Sequence, residues 1–408
     1  MIGRFPLILI FCLFLSSLSM AEELVISEAT TLEEVIKKYS VASVLDTSET
    51  PEVSPLFMTW VERRLAFANF NLLYATRSIP VGGSALPMPH DLMDLTGISF
   101  VADEEINTVT SLLNNEQLMG LIVLQGGKIR LEHYAADHRI DTRWVTFSVT
   151  KSVTSMLVGA AIQEGYIESV EDPIVKYLPR LAGSAYGKSR VKDLLQMASG
   201  IAWNEDYEDP ESDVARAAAL NGIDLTRYLL ELPRVAAAGM IFNYNTAETN
   251  LLGEVLRSAI GMNAAPYLSQ KIWQPMGMKY EANWLLSQPL GRETGGCCIS
   301  ATLRDYARLG LFALADGVLP DGTRVLPEGW VAESISPSNG YEGYGYKWWL
   351  YGSERYAARG LYGQTIFVDP KADMVMAVHS NSRRPSNSAY HRKLENALLA
   401  ISDYFRAQ

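Results

Sequence analysis

Two residue pairs in this chain have the types and spacing for acyl transfer, in which a hydroxyl attacks a carbonyl carbon once a nearby base takes its proton. The first is Ser148 and Lys151, in "TFSVTKSVTSMLVGAA". The second is Ser189 and Lys192, in "YGKSRVKDLL". A serine three positions before a lysine arises by chance about once or twice in a chain of this length. Spacing alone therefore does not separate a nucleophile and its base from an ordinary helix start. The surroundings of the two pairs differ. After Ser148, Val149, Val153, Met156, Leu157, Ala160 and Ala161 recur at helical spacing, and Val158 and Ile162 carry the apolar surface round the other side. A helix apolar on nearly every side is buried, which puts Lys151 one turn beyond Ser148 near a buried helix start. Desolvation and the positive helix end both disfavour its ammonium form and move it toward a proton acceptor. The same helix start offers N–H groups to an oxyanion. The competing reading is a serine that only caps the helix and a lysine that reaches for solvent. The second pair fits that description, because Lys192 lies among Lys188, Arg190 and Asp193.

Other chemistries find little support. The five histidines, His90, His133, His138, His379 and His391, occur in neither Gly-x-Ser-x-Gly nor His-Glu-x-x-His contexts. There is no phosphate-binding loop and no dinucleotide fingerprint, so neither a metal nor a cofactor is expected. His133 and His379 read as paired strand residues. In "GMIFNYNTAETNLLGEVLRSAIG", Asn245 and Glu248 form a capping-box-like pair opening a helix to about Ile260. Tyr244 stands just before that cap, where its phenol either projects into a site or packs on the helix start.

The elements that must position these residues read as an α+β fold. "MGLIVLQGGKIRLEHYA" is a hairpin turning at Gly126-Gly127, and a helix follows from about 150 to Glu164 with Gly165 as its C-cap. Residues from about 170 to 285 carry only helical periodicity and loops. Strands return in "YGYKWWLYG", "YAARGLYG", "TIFVDP" and "DMVMAVHS", and a last amphipathic helix runs from Ser388 to about Phe405. This order predicts one antiparallel sheet, built from both ends of a domain spanning 95–408, with an all-helical subdomain inserted in it. Residues 22–94 read as a leader wrapping that domain. Residues 1–21, with Arg4, the apolar run Leu7 to Leu15 and a small-residue site ending at Ala21, read as an export signal. The run is shorter than the ~20 residues of a spanning helix. A periplasmic or secreted protein with no membrane span after cleavage is the expectation. Loss of Arg4 leaves 34 basic against 46 acidic residues, a net of −12, which argues against nucleic-acid partners. Cys12 would leave with the signal. The adjacent Cys297 and Cys298 are expected to be small buried hydrophobes rather than a bridge, since neighbouring Cα atoms stand only about 3.8 Å apart.

Ser148-Val149-Thr150-Lys151, followed about a hundred residues on by Phe242-Asn243-Tyr244-Asn245, resembles the serine β-lactamase and penicillin-binding-protein superfamily. It is most similar to the class C branch that includes carboxylesterases and 6-aminohexanoate-dimer hydrolases. "GYIESVEDPIVKYLP", "VKDLLQMASGIAWNEDYEDP", "GGCCISATLRDYARLG" and "RGLYGQTIFVDP" agree in order, over roughly 95 to 405. The resemblance implies a serine hydrolase acting on a small-molecule amide or ester through an acyl-enzyme. Ser148 would be the nucleophile, Lys151 its base and Tyr244 the acid toward the leaving group. Gly360 and Leu361 would supply the strand edge and an oxyanion N–H, and Tyr207 a hydroxyl over the acyl pocket. The family's lysine or histidine on that strand is absent; Arg359-Gly360-Leu361 stands there, which argues against efficient penicillin turnover. The alternatives it implies are a D-Ala-D-Ala carboxypeptidase, a true β-lactamase, or a non-catalytic homologue that binds peptidoglycan or a partner.

Overall fold

The computed structural model describes residues 30–40 and 55–408, apart from Ala136, Asn221, Ser353 and Asn387. The segment read as an export signal lies outside the described residues, as does Cys12. Six strands precede the helical middle: β1 (Thr76–Ile79), β2 (Ser99–Ala102), β3 (Glu105–Thr108), β4 (Leu118–Gln125), β5 (Lys128–Tyr134) and β6 (Arg143–Val145). Six more follow: β7 (Ala282–Leu285), β8 (Ile299–Thr302), β9 (Trp349–Tyr351), β10 (Arg355–Arg359), β11 (Thr365–Asp369) and β12 (Met374–Ser380). The fold is α+β, and every pair among these strands is antiparallel.

The six-stranded sheet, in the order β5-β4-β12-β11-β10-β9, does join the two ends of the domain. It is not the whole of the β-structure, however. A second sheet, β1-β7-β8-β6, and a β2-β3 hairpin accompany it among the described residues. The strands of the second sheet are three or four residues long, too short for a period-2 pattern to show in the sequence.

The β4-β5 hairpin turns on Gly126 and Gly127, whose φ values of 59° and 70° are what a tight two-residue turn demands. Both faces of β4 and β12 are covered. Ile122, Leu124, Val375 and Ala377 face the core shared with the helix Leu303–Leu314. Leu121, Val123, Met374 and Met376 face the C-terminal helix Ala389–Arg406 through Leu394, Leu398 and Ile401. Each of these side chains larger than Ala377 stabilises the fold by about 1.5–3 kcal/mol. No helix among the described residues is long and apolar enough to cross a membrane.

The helix Trp60–Ala68 sets Phe67 on Trp144, Phe147 and Tyr362, with ring centroids 5.6, 4.9 and 5.5 Å away. Arg63 ties the same helix to Ser382 and Arg383 carbonyls, at 2.9 and 3.0 Å. Phe147 therefore has aromatic contacts on several sides while its own backbone sits at φ 47°, in the left-handed region that costs a large residue energy.

Cys297 and Cys298 correct the expectation made for them. Their sulfurs are bonded to each other as a vicinal disulfide. The expectation took the intervening peptide as trans; it is cis, the Cα atoms stand 3.2 Å apart, and both side chains fall on one side. Cys298 is buried, as anticipated.

The buried histidines predict how stability depends on pH. His138 Nε2 and His379 Nδ1 lie 2.8 Å apart, and His391 is held between Ser388 and the Leu361 carbonyl. Burial pushes His138 and His391 down to about 4, and His379 well below its usual value. The unfolded chain binds protons at these rings from about pH 6.5 downward while the fold resists them. Their contribution is complete above about pH 6.5 and is lost as pH falls toward 4. The melting temperature is expected to drop by several degrees between pH 7 and pH 5, and by less in His138→Gln. Equal losses in the two proteins would contradict this assignment.

Candidate active site

Ser148 ends the short link from β6 and precedes the helix Val149–Gln163, whose residues 149 to 161 are buried. Its hydroxyl makes no capping bond to that helix. It meets Lys151 Nζ at 2.9 Å instead, and Ser148 itself remains half-buried. Lys151 is 1% exposed and reaches no solvent. Its second partner is the Gly296 carbonyl, also at 2.9 Å. Burial pushes Lys151 down to about 8, while the Glu205 carboxylate works the other way. The second Ser-x-x-Lys pair does not meet in this manner. Lys192 pairs with Glu171 at 3.3 Å, and the buried Ser189 hydroxyl accepts from Arg234.

The Gly296 carbonyl is where it is because two glycines let a loop slip between two helices. A Cβ on Gly295 would stand 2.3 Å from the Thr249 carbonyl, and one on Gly296 3.0 Å from the Thr246 carbonyl. Thr154 Oγ1 donates to the Gly295 carbonyl at 2.7 Å, and Asn250 Oδ1 accepts the Gly296 N–H at 2.9 Å. The loop is thereby pinned to the serine helix and to the helix Thr246–Ile260.

That second helix carries Tyr244 just ahead of its cap. Asn245 caps it through a 3.2 Å bond from the Glu248 N–H. The reciprocal half of the capping box is missing, because the Glu248 carboxylate turns to Ser199 Oγ at 2.5 Å. The Tyr244 ring stacks on Trp349 at 5.6 Å and stands edge-on to Tyr344 at 5.8 Å. Lys151 Nζ lies 5.3 Å from its centroid. Burial raises the Tyr244 phenol, Glu205 adds to this, and hydrogen bonding with Ser148 offsets part of it. The phenol therefore keeps its proton at neutral pH and is a donor.

The third wall is the turn after β10. A Cβ on Gly360 would meet the Thr146 carbonyl at 2.4 Å, so glycine is what allows this strand end to lie against the approach to Ser148. Gln364 holds the turn: its Oε1 accepts from the Tyr362 N–H at 3.1 Å and its backbone carbonyl from the Gly360 N–H at 2.7 Å. The Leu361 carbonyl takes the Ser386 N–H at 3.0 Å. Among the described residues, neither the Ser148 nor the Leu361 N–H has a protein acceptor, as two donors reserved for an oxyanion require.

Tyr207 is at the site, but its hydroxyl is taken: it donates to Glu205 Oε1 at 2.5 Å. Glu205 also accepts from Trp203 Nε1, the Thr246 N–H and Thr246 Oγ1. It thus fixes the Tyr207 loop to the start of the tyrosine helix. Arg359 lies 5.5 Å from the Trp349 ring centre and pairs with Glu395 at 2.8 Å, beside a cleft also lined by Tyr341, Tyr351 and His391. Glu205 and Gly296 were not singled out from the sequence. Gly296 lies in a stretch that matches the family pattern; Glu205 carries no local signal beyond its place two residues before Tyr207.

A helix-borne serine with a buried lysine one turn on, faced by a tyrosine and a glycine-bearing strand end on an α+β scaffold, defines a Ser-Lys-Tyr type of site. The beta-lactamase family model matches residues 113–400, and the chain belongs to this family. The 6-aminohexanoate-dimer hydrolase of Paenarthrobacter ureafaciens is 32% identical over 307 residues, 69% of this chain and 77% of that protein. A Bacillus anthracis structure described as a 6-aminohexanoate-dimer hydrolase superposes with a TM-score of 0.76 at 21% identity, covering 87% of this chain and 98% of its own. The penicillin binding protein of Bacillus halodurans does so at 0.56 and 18%, covering 73% and 99%.

Proposed function

We propose that the protein is a serine hydrolase that cleaves an amide or ester through an acyl-enzyme on Ser148. The observation that carries this is the 2.9 Å contact between Ser148 Oγ and a fully buried Lys151 Nζ. Neutral Lys151 takes the hydroxyl proton as Oγ bonds to the substrate carbonyl carbon. The oxyanion so formed lies against the Ser148 and Leu361 N–H groups. As the tetrahedral adduct collapses, Tyr244 delivers a proton to the departing amine or alkoxide and is reprotonated through Lys151. Water then adds to the acyl carbon by the reverse relay, releasing the acid and restoring Ser148. We place this chemistry outside the cytoplasm on the basis of the N-terminal segment alone.

Arg359 bears on selectivity. It is engaged by Glu395 and by the Tyr351 hydroxyl at 3.2 Å, which leaves it poorly placed to serve a β-lactam carboxylate. A panel of a nitrophenyl ester, a linear 6-aminohexanoate dimer, a D-Ala-D-Ala peptide and a chromogenic cephalosporin tests this reading. Turnover of the ester or the linear amide is expected to exceed that of the cephalosporin by about a hundredfold or more in kcat/KM. Preference for the cephalosporin or the peptide would overturn the amide-or-ester assignment.

A further inference from the structure

A cleft of about 360 Å³ opens beside the site, between β9, the end of β10 and the C-terminal helix. Small-molecule pockets are commonly of this size, ~300–1,000 Å³. Two contacts tie the cleft to the reacting groups. Trp349, one of its walls, is the ring on which Tyr244 stacks at 5.6 Å. His391, another, meets the Leu361 carbonyl through Nε2 at 3.2 Å. The cleft therefore continues from the flank of Tyr244, the group that protonates what departs from the acyl carbon. Tyr341 and Tyr351 add to its aromatic lining, and Tyr341 stacks in turn on Phe242 at 4.7 Å.

The polar end of this cleft carries charges that are already matched. Arg359 Nη1 meets Glu395 Oε2 at 2.8 Å and the Tyr351 hydroxyl at 3.2 Å. Its guanidinium also lies over the Trp349 ring, 5.5 Å from the centre. Arg392 pairs with Asp103 at 2.6 Å. Burial pushes His391 down to about 4, so its ring is uncharged at neutral pH. An arginine facing a substrate cleft ordinarily suits a carboxylate, which it holds through paired N–H donors. Here a glutamate of the same chain takes that place, and an incoming anion meets its like charge. We propose that Glu395 is a specificity-determining residue. By neutralising Arg359 it makes the cleft a subsite for an uncharged alcohol or amine leaving group of aromatic or alkyl character, and it turns away leaving groups that bear a carboxylate. Neither of these Arg359 contacts uses Nε or Nη2, so the guanidinium keeps a fork for a carboxylate once the glutamate's charge is removed.

The proposal rests on Ser148 reacting as described above, which loss of ester hydrolysis in Ser148→Ala tests separately. Values of kcat/KM are measured for 4-acetoxybenzoate and its methyl ester, which differ in a carboxylate on the leaving group. Phenyl esters of adipic acid, with the far carboxyl free or methylated, put the same charge on the acyl side. Within each pair the anionic-to-neutral ratio, compared between variant and wild type, cancels the intrinsic reactivity of the substrates. In Glu395→Gln the ratio for the leaving-group pair is expected to rise about tenfold or more, because glutamine keeps the shape of the side chain and frees the Arg359 charge. In Arg359→Gln the unopposed Glu395 is expected to lower it. The adipate ratio is expected to change far less in both. A leaving-group ratio that stays at the wild-type value in Glu395→Gln, or an equal or larger rise in the adipate ratio, overturns the proposal. If Arg359→Gln does not fold, Glu395→Gln decides.

Discussion

Ser148→Ala is expected to lower kcat/KM on the best ester or amide by about ten-thousand-fold or more, while the fold and its stability stay as they are. The loss follows from the geometry, since Ser148 is the hydroxyl that Lys151 Nζ meets at 2.9 Å. The preserved stability follows from the missing cap. A serine that capped the buried helix would cost about 1 kcal/mol on truncation. The Ser148 hydroxyl makes no such bond, so the melting temperature should not move. Ser189→Ala serves as the control, because that hydroxyl faces Arg234 and no lysine. Retained hydrolysis in Ser148→Ala would remove the nucleophile from the account.

Lys151→Met is expected to lower kcat/KM by about a thousandfold and to change its pH dependence. In the wild type the working form of Lys151 is the neutral amine. Burial pushes it down to about 8, so the ammonium dominates below that pH and activity rises as pH climbs through it. Each unit below the limb costs about tenfold. In Lys151→Met that limb disappears, leaving a residual rate with a flatter profile. The stability consequence has the opposite sign. A folded-state value below the unfolded one means that the buried ammonium disfavours folding at pH 7. A methionine of similar length should therefore hold the melting temperature at or above that of the wild type. A variant that keeps the rising limb near pH 8 would assign that limb to another group.

The parts of the site that are legible in the sequence are those with a local physical signal. Ser148 and Lys151 stand out from the Ser189 pair because the residues after them are apolar on nearly every side, and that pattern implies a desolvated lysine. Gly126-Gly127 announces its hairpin, and Gly360 its close approach, because only glycine fits those backbones. The elements invisible in sequence depend on long-range contact. Glu205 matters through four donors that meet in space. Gly296 matters through a carbonyl, which no residue type advertises. Asn245 and Glu248 match a capping box in type, yet Ser199, distant in sequence, takes the carboxylate. Cys297 and Cys298 show the same limit in backbone form, since a spacing argument assumes a trans peptide. The short strands of the second sheet escaped because three or four residues carry too little periodicity.

The central claim is that Ser148 becomes covalently acylated. The most direct measurement is to treat the protein with a fluorophosphonate, digest it, and locate the adduct by mass spectrometry. One adduct per chain is expected, on Ser148, forming faster as pH rises toward 8 and absent from Ser148→Ala. An adduct on any other residue, with ester hydrolysis lost in step with it, would contradict the account.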